Sequence, residues 1–306
     1  MPRLYLRNSR DFSAIWVGSC VFTLLISAQF ALANADAPRP VAYRPVAGVA
    51  RNLSLYSNAA LVLDEKTGAV LYDKNIDTVH PIASLTKLMT AIVVLDSGLP
   101  LDATIRVEND DIDMERGSRS KMRIGEVLAR RDMLRLALMS SENRAASALA
   151  RTFPGGRDAF VALMNQRAGQ IGMMATWFVD SSGLSSRNVS TARDLAKLVA
   201  TAARYELIRG YSTTAQVSLK RLDSGAQINY VNTNLLLRHD TGWDINVSKT
   251  GYLNEAGYCL VLQAVIDRRV VNIILLDSYG RYSRVGDAKR IKKWIEERVG
   301  PSTGKS

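Results

Sequence analysis

Histidine and cysteine are scarce in this chain: its 306 residues include only His80 and His239, Cys20 and Cys259. There is no H-E-x-x-H motif and no cysteine cluster, which argues against a zinc hydrolase. No metal and no cofactor is expected. His80 precedes Pro81 in a loop and His239 lies in a charged segment. Both read as surface residues, and nothing favours a Ser-His-Asp triad built on either. Cys259 adjoins the apolar run Leu260-Val261-Leu262 and reads as a buried, inert thiol. No internal repeat and no low-complexity tract is present. No basic cluster is interleaved with aromatic residues as a base-stacking platform would be, so nucleic acid is not an expected partner.

What is present suits a globular protein. Apolar residues make up 47% and charged residues 23%, in a chain long enough for one large domain or two small ones. The N-terminus stands apart. Arg3, Arg7 and Arg10 precede an apolar stretch from Phe12 to Leu32, which leads into Ala33-Asn34-Ala35-Asp36-Ala37. A basic start, an apolar middle and a small-residue end make a signal peptide over residues 1–35, cut near Ala35 or Ala37. The stretch is longer than an ordinary signal core, which leaves an uncleaved anchor as the alternative. Val17-Gly18-Ser19-Cys20 is only faintly like a lipoprotein acylation site, because the apolar run continues past it. Cleavage removes three arginines and one aspartate, lowering the formal net charge from +11 to +9. It also leaves Cys259 alone, so no intramolecular disulfide can form. A basic exported chain suits an anionic polymer or a membrane surface.

Residues 36–55, with Pro38, Pro40 and Pro45, read as an extended leader. Ala59 to Asp64 and Ala69 to Tyr72 read as a hairpin turning at Glu65-Lys66-Thr67-Gly68. An apolar helix follows and ends at Gly98 and Pro100. Residues 102–131 are polar, with short strand-like pieces. A second helix runs from Asp132 through Met139, breaks at Ser140-Ser141-Glu142-Asn143, and resumes at Arg144. Arg157 to Met173 and Thr191 to Ala203 carry helical periodicity. Ile245 to Lys249, Cys259 to Ile266 and Val270 to Asp277 read as strands, the last two joined by a tight turn. A final helix from Val285 to Val299 puts Ile291, Trp294, Ile295 and Val299 on one face. Lys289, Arg290, Lys292 and Lys293 lie on the other, a solvated face or, alternatively, a peripheral membrane contact. Strands at both ends and helices between predict an α+β fold: a sheet assembled from both chain ends, covered by the helical middle. The expected divisions are signal peptide 1–35, leader 36–55, one catalytic domain over 56–299 and a tail, 300–306.

The chemistry concentrates at Ser84-Leu85-Thr86-Lys87, which opens the apolar run Leu88 to Leu95. Ser and Lys three apart on a helix share one face, which places an amine base beside a hydroxyl nucleophile. S-x-x-K arises by chance ~1 time in a chain this long, and the chain has three. Ser118-Arg119-Ser120-Lys121, in a charged stretch, and Ser302-Thr303-Gly304-Lys305, in the tail, open no apolar helix and read as solvated surface. Two further elements follow Ser84: Ser141-Glu142-Asn143 at the helix break and Lys249-Thr250-Gly251 at a strand end. Taken singly, each has a plainer explanation, helix capping for the first and a turn for the second. Ser186-Arg187-Asn188 repeats the S-x-N pattern in a polar loop, and Lys66-Thr67-Gly68 repeats K-T-G in the first hairpin.

In this order the three elements resemble the motif set of penicillin-binding proteins and class A β-lactamases. The segment Pro81 to Ala91 looks like the active-site segment of low-molecular-mass penicillin-binding proteins, the D-alanyl-D-alanine carboxypeptidase family of serine peptidases. Leu138 to Ala146, Phe178 to Leu184 and Val189 to Leu195 are similar to its short, single-domain D-alanyl-D-alanine endopeptidase branch, and the likeness runs over roughly residues 55–297. The resemblance implies a β-lactamase/transpeptidase-like fold. It also implies a monomeric periplasmic enzyme that cleaves D-alanyl bonds of peptidoglycan stem peptides and is acylated by β-lactam antibiotics. Cross-link-opening endopeptidase is the expected activity; trimming of terminal D-Ala, β-lactam hydrolysis and a silent cell-wall-binding site are the alternatives. The implied roles are Ser84 as nucleophile, Lys87 as base, Ser141 as proton relay and Asn143 as a holder of substrate and of Lys87. Lys249 and Thr250 would bind a carboxylate, Gly251 would clear room for the substrate backbone, and the Ser84 and Tyr252 N–H groups would form an oxyanion hole. Burial and the charge of Lys249 are expected to lower the Lys87 pKa. Two departures refine the likeness. Only 55 residues follow Gly251, too few for the second domain of the longer carboxypeptidases, and no Glu stands between Asn143 and Glu206 to deacylate the enzyme as in class A β-lactamases.

Overall fold

The apolar runs at both ends of the chain become strands because each is buried on both faces. The computed structural model describes residues 44–45, 53–114, 116–238 and 241–298. The expected signal peptide with Cys20, most of the expected leader, His239, Val299 and the tail with Ser302 to Lys305 lie outside the described residues. In chain order the strands are β1 (Arg44–Pro45), β2 (Ser57–Asp64), β3 (Ala69–Lys74), β4 (His80–Pro81), β5 (Thr104–Arg106), β6 (Val127–Ala129), β7 (Val189–Ser190), β8 (Gln216–Lys220), β9 (Gln227–Val231), β10 (Asp244–Leu253), β11 (Gly257–Ile266) and β12 (Arg269–Ser278). The helices are α1 (Lys87–Asp96), α2 (Arg130–Met139), α3 (Asn143–Arg151), α4 (Gly156–Gln170), α5 (Ala192–Ala202), α6 (Glu206–Thr213) and α7 (Ser283–Arg298).

Six strands form the main sheet in the order β1-β3-β2-β12-β11-β10, so both chain ends contribute, as expected. The pairs from β3 to β10 are antiparallel, and β1 adds a parallel edge. Alternation sorts the side chains into two cores. Ala59, Leu61 and Leu63 of β2 face the helical middle, whereas Ala60 and Val62 face α7. The Ile266–Arg269 pair closes over Asp267 and Arg268, whose φ of 47° and 63° supply the twist that a two-residue hairpin needs. α1 is buried almost all round and runs through the helical core.

Two features differ from expectation. Residues 216–231 form an unforeseen hairpin, β8–β9, whose inward residues Leu219 and Tyr230 are buried. His80, expected at the surface, is half-buried in β4, which pairs with β7.

Candidate active site

Ser84 lies in a single 3-10 turn, Ala83–Thr86, from which Lys87 starts α1. Ala83 holds φ at 47°, a left-handed conformation that an alanine adopts only when its surroundings impose it. They do. The Ile82 N–H donates to the Asn188 carbonyl at 3.0 Å, Thr86 Oγ1 donates to the Ala83 carbonyl at 2.8 Å, and Asn188 Nδ2 donates to Thr86 Oγ1 at 3.0 Å. Asn188, read from sequence as part of a polar loop, is therefore a fully buried brace of the nucleophile turn. Gly183, at φ 78°, closes the turn from the other side: a Cβ there would stand 1.9 Å from the Ala83 carbonyl oxygen. Gly251 is similar. Its missing side chain leaves room for Ile82, Ala83 and the Ser84 nitrogen, which a Cβ would meet at 3.0–3.2 Å. The space a side chain would need here is thus occupied by the nucleophile turn.

Lys87 is completely buried, and its Nζ donates to Ser84 Oγ at 2.8 Å, to Asn143 Oδ1 at 2.7 Å and to the Ser182 carbonyl at 2.5 Å. Three acceptors match the three protons of an ammonium. When one proton leaves, two bonds can stay on Asn143 and Ser182 while the lone pair faces Ser84. Burial lowers the Lys87 pKa to about 7, against the opposing pull of the Asp180 and Glu142 carboxylates. Lys249 is also buried, its Nζ donating to Ser141 Oγ and to the Thr250 carbonyl, both at 2.9 Å. Its pKa is driven well below the ordinary lysine value by burial, then by the charges of Lys87 and Arg284. The two buried amines thus oppose each other's charge across the junction. Thr250 Oγ1 donates to Thr233 Oγ1 at 2.7 Å.

The second motif sits where α2 gives way to α3. Ser141 takes φ 61° between them, which turns its hydroxyl toward Lys249. Asn143 Nδ2 donates to Ser118 Oγ at 3.0 Å, and Ser120 Oγ donates to Glu142 Oε1 at 2.5 Å. The S-x-x-K at Ser118, expected on solvated surface, instead packs on the S-x-N turn. Asp180 was missed as well. Its carboxylate accepts the N–H groups of Ser182 and Gly183 at 2.6 Å and of Ser185 at 3.0 Å, which fixes the carbonyl that Lys87 uses. An Asp three residues before a Gly, in a run of serines, is the sequence signal for such a side-chain-capped turn. Arg284 was missed too: from α7 it donates to the Gly251 carbonyl at 2.6 Å and the Cys259 carbonyl at 2.9 Å, bracing the end of β10. Cys259 is buried, its thiol pushed up to about 11 by that burial.

A cleft of about 490 Å³ opens over Ser84, bounded by Ser118, Asn143, Leu184 and Tyr252. Arg116 closes one end, donating to the Leu184 carbonyl at 2.6 Å and pairing with Glu255. Ser84, Lys87, Ser141, Asn143, Lys249, Thr250, Gly251 and Tyr252 are thus brought together around one junction. A larger cavity of about 710 Å³ shares Asn143 and Leu184 with this cleft but not Ser84, so the chemistry belongs to the smaller space.

Residues 47–280 match the family described as D-alanyl-D-alanine carboxypeptidase. The chain is 46% identical over 274 residues to a D-alanyl-D-alanine endopeptidase of Pseudomonas aeruginosa, covering 90% of this chain and 86% of that one. It is 43% identical over 272 residues to the D-alanyl-D-alanine endopeptidase of Escherichia coli, covering 89% and 87%. Among solved structures, the Streptomyces K15 DD-transpeptidase superposes with a TM-score of 0.73 at 29% identity, covering 79% of this chain and 97% of that one. Penicillin-binding protein D2 of Listeria monocytogenes, in its cefotaxime-bound form, does so with a TM-score of 0.69 at 31% identity, covering 79% and 98%.

Proposed function

Because this chain belongs to the D-alanyl-D-alanine carboxypeptidase family of serine peptidases, we propose that it is a peptidoglycan DD-endopeptidase that opens D-alanyl cross-links through a Ser84 acyl-enzyme. Neutral Lys87 takes the Ser84 Oγ proton as Oγ attacks the D-Ala carbonyl carbon. The Ser84 and Tyr252 N–H groups hold the resulting oxyanion. Ser141, held by Lys249, relays that proton from Lys87 to the departing amine as the C–N bond breaks, which leaves Lys87 neutral again. Water then attacks the ester, Lys87 accepts its proton, and the D-Ala carboxylate leaves as Ser84 is re-protonated. Asn143 keeps Lys87 in place. Lys249 and Thr250 receive the carboxylate beside the scissile bond, and that negative charge raises the Lys249 pKa and keeps it an ammonium.

The observation that carries this assignment is the 2.8 Å bond between Lys87 Nζ and Ser84 Oγ, made by a fully buried amine whose pKa lies at about 7. A base poised near neutral pH beside a hydroxyl is what serine activation without histidine requires. Endopeptidase over carboxypeptidase activity rests on the two endopeptidase relatives described above. β-Lactams acylate Ser84, and slow release is expected because no Glu between Asn143 and Glu206 is present to activate water. Acting on the cell wall makes this an exported enzyme; we place it in the periplasm as a monomer, released by signal-peptide cleavage.

Purified cross-linked disaccharide-peptide dimers, incubated with the mature chain or its Ser84→Ala variant and read by mass spectrometry, test the proposal. Monomers are expected with wild type alone. Loss of one D-Ala from pentapeptides with dimers intact reassigns the enzyme as a carboxypeptidase. Rapid nitrocefin turnover would make it a β-lactamase. Absence of penicillin labelling at Ser84 would favour a silent binding protein.

A further inference from the structure

At the end of the main sheet nearest the cleft, four adjacent strands place aromatic residues side by side. Tyr252 of β10 is in register with Tyr258 of β11, Tyr258 with Ser278 of β12, and Ser278 with Ser57 of β2. Tyr252 and Tyr258 stack, with ring centroids 4.3 Å apart. Tyr279 follows Ser278, Tyr56 precedes Ser57, and Tyr282 stands just before α7. Tyr56, Tyr279 and Tyr282 are 65%, 94% and 67% exposed. Soluble chains rarely leave such a group of large rings in water without a use for it. Guanidinium groups accompany the rings: Arg284 lies 5.3 Å from the Tyr258 centroid, Arg281 5.7 Å from that of Tyr282, and Arg290 4.8 Å from that of Tyr56. No aromatic–basic interleaving is expected from the sequence. Residues 279–284, Tyr-Gly-Arg-Tyr-Ser-Arg, contain one, and folding extends it across three more strands.

The row begins inside the active site, since Tyr252 lines the cleft with Ser84. Its far end also lies within the reach of a bound stem peptide. With the scissile carbonyl between the Ser84 and Tyr252 amides and the downstream carboxylate at Lys249 and Thr250, the upstream peptide runs past Tyr252 toward Asn254. Three or four extended residues reach about 10–14 Å. Three strand spacings, from β10 to β2, cover about 14 Å.

Resting on the peptidoglycan reading above, we propose that this tyrosine–arginine row is a docking platform for the glycan strand that carries the stem peptides, an amino-sugar polymer bearing carboxylates. The apolar C–H faces of the sugar rings stack on the tyrosines, and exposed Arg281, beside Tyr282, attracts the carboxylates of the polymer, whereas Arg284 and Arg290 hold the row in place through β10 and Asp287. Tyrosine suits such a ligand because it offers a flat apolar face with little rotamer entropy to lose. Penetration of a bilayer instead favours Trp, Phe and Leu, which this row lacks.

The test is binding of the full mature chain to glycan strands stripped of peptide, by co-sedimentation and calorimetry. Wild type is compared with Tyr56→Ala/Tyr279→Ala/Tyr282→Ala and with the corresponding triple Phe variant. The Ala variant is expected to bind at least about tenfold more weakly and the Phe variant within about threefold of wild type. The melting temperature of each variant checks that lost folding is not the cause. Three results overturn the proposal: wild type that ignores stripped strands, an Ala variant that binds them as wild type does, or loss confined to anionic phospholipid vesicles, which would make the row a membrane contact. Cleavage of sugar-free cross-linked peptide dimers by wild type is scored separately. Failure there removes the endopeptidase reading, whereas failure of strand binding alone removes only the platform.

Discussion

On the face of the sheet covered by α7, Ala60, Val62, Leu262 and Ile273 pack against Ile291, Trp294 and Ile295, with Tyr72 edge-on to Trp294 at 6.4 Å. The buried carboxylate on that side, Asp287, is answered by the Tyr56 and Ser57 N–H groups, the Ser57 hydroxyl and Arg290. On the opposite face, at the cleft, Lys87 and Lys249 are buried close enough to repel each other, Glu142 is held protonation-prone by burial, and Ala83 and Ser141 take left-handed backbone. The first region follows the rules of a stable core. The second breaks several of them at once, each time at a group to which the proposed mechanism gives a role. The difference teaches where stability and chemistry reside. The sandwich with α7 supplies the free energy that lets the junction keep buried cations and strained turns.

Removing a cation tests this most severely. Lys87→Met is expected to slow penicillin acylation of Ser84 by about 10³-fold, the scale of losing a positioned base. The same variant should flatten the pH dependence of stability. In the folded chain Lys87 titrates at about 7, below the ordinary 10.5. Between those values the unfolded chain binds more protons, so stability rises with pH across this window, and the full cost of burying the charge is present below it. Lys249 contributes in the same direction. Denaturant melts at several pH values check this: a slope in Lys87→Met as steep as in wild type would sink the claim that the junction costs stability.

The sandwich should show the converse. Ile295→Ala, at a fully buried position on α7, is expected to cost about 2–5 kcal/mol in denaturant unfolding while the acylation rate of the folded enzyme stays at the wild-type value. A change in acylation comparable to that of Lys87→Met would mean that the two faces are not separable.

A finer comparison lies within the junction. The rate of acylation should rise with pH through about 7 as Lys87 loses its proton. Glu142→Gln removes a carboxylate that holds that proton, so the rising limb should move to lower pH. An unmoved limb in stopped-flow acylation would show that Glu142 only anchors the loop at Ser120.

Much of this architecture was legible in the chain. The two-sided burial of β2, β11 and β12 is written as near-continuous apolar runs, and the order of the three motifs follows the order of the elements that carry them. β8–β9 went unread although Val217, Leu219, Ile228 and Tyr230 alternate, because both strands are short and largely polar on their outer side. Asp180, Asn188 and Arg284 act through backbone groups, and a side chain that serves a distant carbonyl or N–H leaves no periodic mark.

Ser118 is the sharpest instance. Its S-x-x-K matches the active-site pattern, but no apolar helix follows it, which predicts a solvated surface and holds for Lys121, which is exposed. The serine itself departs from that expectation, since its bond to Asn143 spans 25 residues and is created by the loop folding back on α3. Ser118→Ala leaves Asn143 Nδ2 without that acceptor but keeps the Asn143 bond to Lys87. The expected loss in acylation is therefore small, about three- to tenfold, the worth of one neutral hydrogen bond, with the pH of the rising limb unchanged. A loss near that of Lys87→Met would make Ser118 part of the proton path rather than its support. No loss at all would return this serine to the solvated surface that its sequence suggests.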